Sequence, residues 1–330
     1  MSKMTGLLVA GGVFGAVAAS ALATSVAPAP AQALDACFSS GLTGTLKTGS
    51  ASCSSSGPLQ WAIAIGANTT AFTEVAGGLF NLAIAVGADS FALVTGDGGS
   101  YFNIATAAAG GYARASNGSF NIATARGSQT DENSGAFATN GSFGVARAIG
   151  VQAFARAGDG SDLAPDSAFN IAVARGENSV ARAQFGYGNS SRAFGSGASA
   201  ITEEGIGNIA RALGNGASAS AGGQFQLLPG FFNVARAVGS NSSARAGALD
   251  IDAPESRFNI ATVIGNGSTA SAGQGNLNTA RVFGNTSVAL AGPGNGRRAI
   301  VIGSNQAKSD PPQDASARRA AASVRSAAQR

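Results

Sequence analysis

Histidine does not occur once in the 330 residues. Its absence removes the commonest general base and metal ligand, and with it His-dependent triads and most zinc sites. Charge is scarce at 12%, and 48 glycines accompany an apolar fraction dominated by small residues. So few large apolar side chains cannot fill a conventional globular core. There are 2 cysteines, with no C-x-x-C spacing to suggest redox chemistry. Cys37 and Cys53 lie in a stretch rich in Ser, Gly and Thr. In an oxidising compartment they are expected to pair, a staple of about 3 kcal/mol on a weakly packed terminus. The glycine-rich turns lack the lysine and following helix of a phosphate loop, and no cofactor is implied.

Residues 1–33 read as an export signal. Lys3 supplies the positive start, Leu7 to Ala23 the apolar stretch, and Ala31-Gln32-Ala33 a small-x-small cleavage site. The glycines and serines within the stretch, and Pro28 and Pro30 after it, argue against a membrane anchor, so the mature chain is expected to carry no transmembrane segment. Asp35 disfavours acylation of Cys37. The net charge of +4 is a property of the ends. Lys3 and the surplus of Lys308, Arg318, Arg319, Arg325 and Arg330 over Asp310 and Asp314 account for it, leaving a neutral body. Such a body is a poor candidate for nucleic acid, whereas the basic tail, 304–330, could touch an acidic envelope polymer.

What the chain does contain is a repeat. Aligned on Phe-Asn-Ile-Ala, units start at Leu59, Phe80, Phe102, Phe120, Phe143, Phe169, Gly207, Phe232, Phe258, Leu277 and Gly296, with a degenerate copy near Gly188. Each unit holds two short alternating segments bounded by Gly and Asn-Gly, as in Phe258 to Gly265 and Ser268 to Gly273. That pattern predicts two strands per unit. Strands so short bury nothing alone, so equivalent strands must stack in parallel. The expected fold is all-β: a parallel β-solenoid, or β-roll, of about twelve rungs over 59–303. An N-terminal cap (34–58) precedes it, and a disordered or helical tail follows.

Charge decides which face points inward. Asn259, Ala261 and Val263 share one parity, which is uncharged until Arg297; the other carries Phe, Ile and Val together with Arg147, Arg211, Arg236 and Arg281. Unpaired guanidinium groups cannot be stacked in an apolar lumen, so alanine is expected inside. The asparagines at 81, 103, 121, 170, 208, 233, 259 and 278 (Asn81, Asn103, Asn121, Asn170, Asn208, Asn233, Asn259, Asn278) fall at one position, as a ladder of stacked amides would require. With alanine inside, Phe80, Phe102, Phe120, Phe143, Phe169, Phe232 and Phe258 form an outer apolar stripe with the Ile and Val of the first strand. Monomers rarely leave such a stripe in water, which makes it the expected seam of a homo-oligomer.

Asn178-Ser179-Val180-Ala181, Ala62-Ile63-Ala64-Ile65-Gly66 and Asn285-Thr286-Ser287-Val288-Ala289 resemble the head repeats of trimeric autotransporter adhesins. The resemblance covers about 59–303 and implies a β-roll, three chains side by side, and attachment to host matrix or to other cells. The units here are longer and less even, and neither a heptad stalk nor a run of membrane strands follows.

Acids are too dispersed to suggest chemistry. Asp159, Asp162 and Asp166, and separately Asp250, Asp252 and Glu255, match neither an EF-hand nor a nonapeptide calcium repeat, so they read as solvated. No metal site is expected. Thr106, Thr124 and Thr262 share a column, but arginine interrupts it and spoils a lattice for ice or crystalline polymer. The sequence therefore points to a secreted or cell-surface structural and adhesive protein that is not an enzyme, presenting edge loops for binding. A solenoid enzyme or binder acting on polysaccharide is the alternative, and would need a carboxylate pair on a concave face.

Overall fold

A computed structural model describes residues 35–96, 99–128, 135–158, 167–222, 230–247 and 256–310. Every regular element in them is a strand. The strands form a 14-stranded sheet and a 13-stranded sheet, each ordered along the chain by skipping the strands of the other. The chain thus alternates between sheets once per unit, which is a parallel β-solenoid. Each expected unit start, including the degenerate one near Gly188, leads into a strand of the first sheet, from Gln60–Ile65 to Arg298–Ile302. Register is kept throughout: Ala235 lies beside Ala210 on one side and Ala261 on the other.

Alternation puts the small residues inside. Ala261 and Val263 in Ile260–Ile264, and Ala270 and Ala272 in Thr269–Ala272, are fully buried. Opposed strands such as Ile122–Arg126 and Gly135–Thr139 bring Cα atoms within 8 Å. That is closer than the ~10 Å usual between sheets carrying larger side chains. Tight stacking also explains the glycine at the corner after nearly every parallel first-sheet strand, Ala109 being the exception. Gly176 has φ +131°, and a Cβ there would collide with the carbonyl oxygen of Gly195 one rung on.

Three features differ from the sequence expectation. The solenoid is longer than 59–303: Ser52–Ser55 already pairs in parallel with Thr70–Val75, and Ala307–Asp310 closes the second sheet against Val288–Ala291. Lys308 and Asp310 therefore belong to a strand rather than to the tail. Second, a short third column of pairing joins the two sheets, with Gly205–Ile206 beside Gly230–Phe231 and single bridges linking Ser142, Ala168, Tyr187 and Ile206.

The third concerns the phenylalanines. Phe258 is not a strand residue; it stands at the corner before the strand with φ 56°, and Phe80, Phe102, Phe120, Phe143, Phe169, Phe232 and Leu277 share that left-handed backbone. Reversing φ there lets the next residue, asparagine, turn inward while the ring stays outside. Glycine takes the same φ at Gly188, Gly207 and Gly296. A column in which glycine replaces phenylalanine was the sequence signal for this conformation.

The amino-terminal edge is capped. Ala36–Ser40 runs antiparallel to Gln60–Ile65, and Gly44–Thr48 folds back antiparallel to it. This hairpin ends the stack of parallel strands at the first sheet, protecting an edge that could template aggregation. Cys37 and Cys53 are joined in a disulfide, Cα to Cα 5.6 Å, tying the cap to the second sheet. The export signal, residues 311–330, and most of the insertions at Asp159 to Ser167, Gly223 to Gly230 and Leu249 to Ser256 lie outside the described residues.

Candidate functional site

The phenylalanine corners build a ridge in two runs. Phe80, Phe102, Phe120, Phe143 and Phe169 stack with centroids 4.9, 5.0, 4.8 and 4.8 Å apart and planes within 11° of parallel. Phe232 and Phe258 continue the line at 5.5 Å. Between the two runs, Gly188 and Gly207 notch the ridge; Phe232 leans over Gly207, where a Cβ would lie 2.7 Å from two ring carbons. Phe80 is partly buried, and the other rings are about half exposed, from 43% at Phe120 to 59% at Phe169. Because each ring covers its neighbour's face, the ridge offers ring edges to solvent. That geometry suits packing against another apolar ridge and not the face-on stacking of sugars or bases.

Inside the same corner, amides form a second line. The Asn233 side-chain oxygen accepts from the Asn259 backbone N–H at 3.1 Å, and the Asn259 oxygen accepts from Asn278 at 2.8 Å. The amide nitrogens donate to carbonyls of the opposite turn, as from Asn259 to Gly275 at 2.7 Å. The bonds of this line are thus mostly amide to backbone, with one amide-to-amide contact, Asn233 to Asn208, among its described members. Two members were not foreseen. Asn189 fills the degenerate rung, and Gln60 opens the line by donating to Val75 and Gly78. Both had been hidden by departures from the Phe-Asn signature. Gly144 interrupts it, although its N–H still donates to Asn121.

The outer face of the first sheet carries three columns. The first and fifth strand positions are mainly aliphatic, among them Ile209 and Ile264. The central column holds Arg147, Val173, Arg192, Arg211, Arg236, Thr262 and Arg281 in unbroken register. Arg192, Arg211 and Arg236 are exposed and occupy consecutive rungs. Adjacent like charges about one rung apart repel by roughly 1 kcal/mol per pair in water before salt screening. Arg126 and Arg175 add charge at the fifth position, and no acid occurs in any strand of this sheet between Ile122 and Phe283. Arg297 pairs with Asp310 at 4.0 Å.

The second sheet is different. Its outer aromatics, including Phe91, Tyr112, Phe137 and Phe154, contact one another and are overlaid by arginine, with Arg156 and Arg182 5.5 and 5.6 Å from the Phe154 centroid. These guanidinium groups are engaged in packing. Glu203 and Glu204 adjoin this sheet. Burial raises the Glu203 carboxyl above its ordinary value while the Arg182 guanidinium pulls it down; burial and then the Glu203 charge raise Glu204. No acid occupies the equivalent position one rung away in Gln184 or Gly222, so the pair is isolated. Asp159, Asp162, Asp166, Asp250, Asp252 and Glu255 all lie outside the described residues, among which no group of three or more potential ligands could hold a metal ion.

Fold and surfaces together define a parallel β-solenoid with an apolar ridge and a basic sheet face. No protein family, curated protein or solved structure matches the chain.

Proposed function

We propose that the chain is a secreted or cell-surface structural and adhesive repeat protein, without catalytic activity, whose rods associate side by side through the phenylalanine ridge. The observation that carries this reading is the ridge itself: seven rings along one corner, each exposing an apolar edge, with Leu277 at 63% exposure extending the line. An apolar strip that crosses most of a rod is buried in a working assembly. The resemblance to trimeric adhesin heads makes three chains the expected number, a host or envelope polymer the expected partner, and the edge loops the surface that meets it.

The test is the mass of the mature chain in solution by light scattering. The expected result is a multiple of the monomer, three by the resemblance, falling in the Phe232→Asp, Phe258→Asp double variant while far-ultraviolet circular dichroism keeps its β signal. A wild-type monomer, or an unchanged mass in the double variant, would refute the seam.

A further inference from the structure

The self-association reading leaves the arginine column unused, and like charges kept in register on consecutive rungs call for a countercharge. We propose that the outer face of the first sheet binds a linear acidic polysaccharide, one carrying a carboxylate on each sugar, laid along the rod axis over Arg147, Arg192, Arg211, Arg236 and Arg281. This inference goes beyond the self-association reading and does not depend on it.

Three observations select the ligand. The first is spacing: strands in register repeat every ~4.8 Å, comparable with the advance of one sugar along an extended chain, so guanidinium groups meet carboxylates without either polymer bending. Paired N–H donors fit a carboxylate's two oxygens, which a point-charge lysine would not do as well. All the cations on this face between Ile122 and Phe283 are arginine. The second is the flanks. Ile209, Val234 and Ile260 on one side, and Leu213, Val238 and Ile264 on the other, border the central column. They offer aliphatic surface to the C–H faces of a pyranose. The third is what is missing for nucleic acid. The ridge rings have their faces covered by one another, so unstacked bases find no platform there. A single straight line of charge on a flat sheet also does not match the two winding phosphate rows of a duplex.

Polygalacturonate is the probe, and methyl-esterified polygalacturonate its uncharged counterpart. At low salt the mature chain should bind the acid form, lose it as salt rises, and ignore the ester. Arg192→Gln, Arg211→Gln and Arg236→Gln together should weaken binding at least about tenfold, the sum expected of three exposed ion pairs. The Arg211→Gln, Arg236→Gln double variant should give an intermediate loss, and keeps the test readable should the triple variant fold poorly. Arg182→Gln with Arg245→Gln removes the same charge as that double variant from the second sheet, and should change affinity less than about twofold. Equal losses on the two faces, absence of binding, or binding of the ester would overturn the proposal. So would single-stranded DNA binding as tightly as polygalacturonate with the same dependence on Arg192, Arg211 and Arg236. Light-scattering mass on the same variants separates this outcome from a failure of the ridge to associate, because none of these arginines lies on the ridge.

Discussion

An inward alanine has no room to grow, because the opposite sheet and the rungs on either side already touch it. Ala261 is fully buried and Thr262 faces out. Ala261→Leu should therefore destabilise the fold by about 1 to 3 kcal/mol through overpacking, while Thr262→Leu stays within about 0.5 kcal/mol, both read from urea midpoints. The corner phenylalanines make a different point. A bulky residue at φ near 59°, as at Phe143, stores about 1 to 2 kcal/mol of backbone strain. Stacking on Phe120 and Phe169 offsets it. Phe143→Ala loses the stacking and keeps the strain, whereas Phe143→Gly loses both. The alanine variant should be the less stable by up to about 1 kcal/mol in the same assay. Glu203 adds a pH dependence. An acid whose folded value is raised holds its proton more tightly when folded, so stability falls as pH rises from 4.5 through that raised value and returns on acidification. Glu203→Gln should flatten the urea midpoint as pH rises from 4.5, leaving only the slope that burial of Glu204 supplies.

At the scale of an element, the amide ladder holds the turns and the sheets hold the strands. Asn233 accepts from Asn259 and donates to Ser256, both buried. Asn233→Leu would strand the Asn259 backbone N–H away from water, at about 1 to 3 kcal/mol, while the Ser256 carbonyl keeps the Phe231 N–H. Hydrogen exchange should show the loss at Ser256 to Asn259 before it spreads to distant rungs, as nearest-neighbour stacking requires. The strands were legible because Ala alternates with outward residues and Gly punctuates each corner. The asparagine column was legible because it repeats. What escaped was set by backbone geometry. Phe258 reads as part of the strand because a ring before Asn-Ile-Ala is one more alternating apolar residue, and only the glycine at the equivalent Gly188, Gly207 and Gly296 betrays a positive φ. The third column of pairing escaped because Tyr187, Ile206 and Phe231 have no common side chain; their backbones alone repeat.

For the whole molecule, net charge misled in one respect. A neutral body conceals a sheet whose outward charges between Ile122 and Phe283 are all basic, because no acid falls in its strands there. The column was present in the alignment at Arg211 and Arg236, but only the strand register shows Arg192 completing it. Ridge, basic face and cap all presuppose one arrangement: methyl groups and amides in the lumen, rings and guanidinium groups outside. Thiol labelling of two neighbouring residues tests it most directly, since both native cysteines are tied in a disulfide and contribute no background. In Thr262→Cys the probe should react within the time of an exposed thiol. In Ala261→Cys it should react no faster than the chain unfolds. A readily labelled cysteine at 261, with protection at 262, would turn the rod inside out and contradict the account.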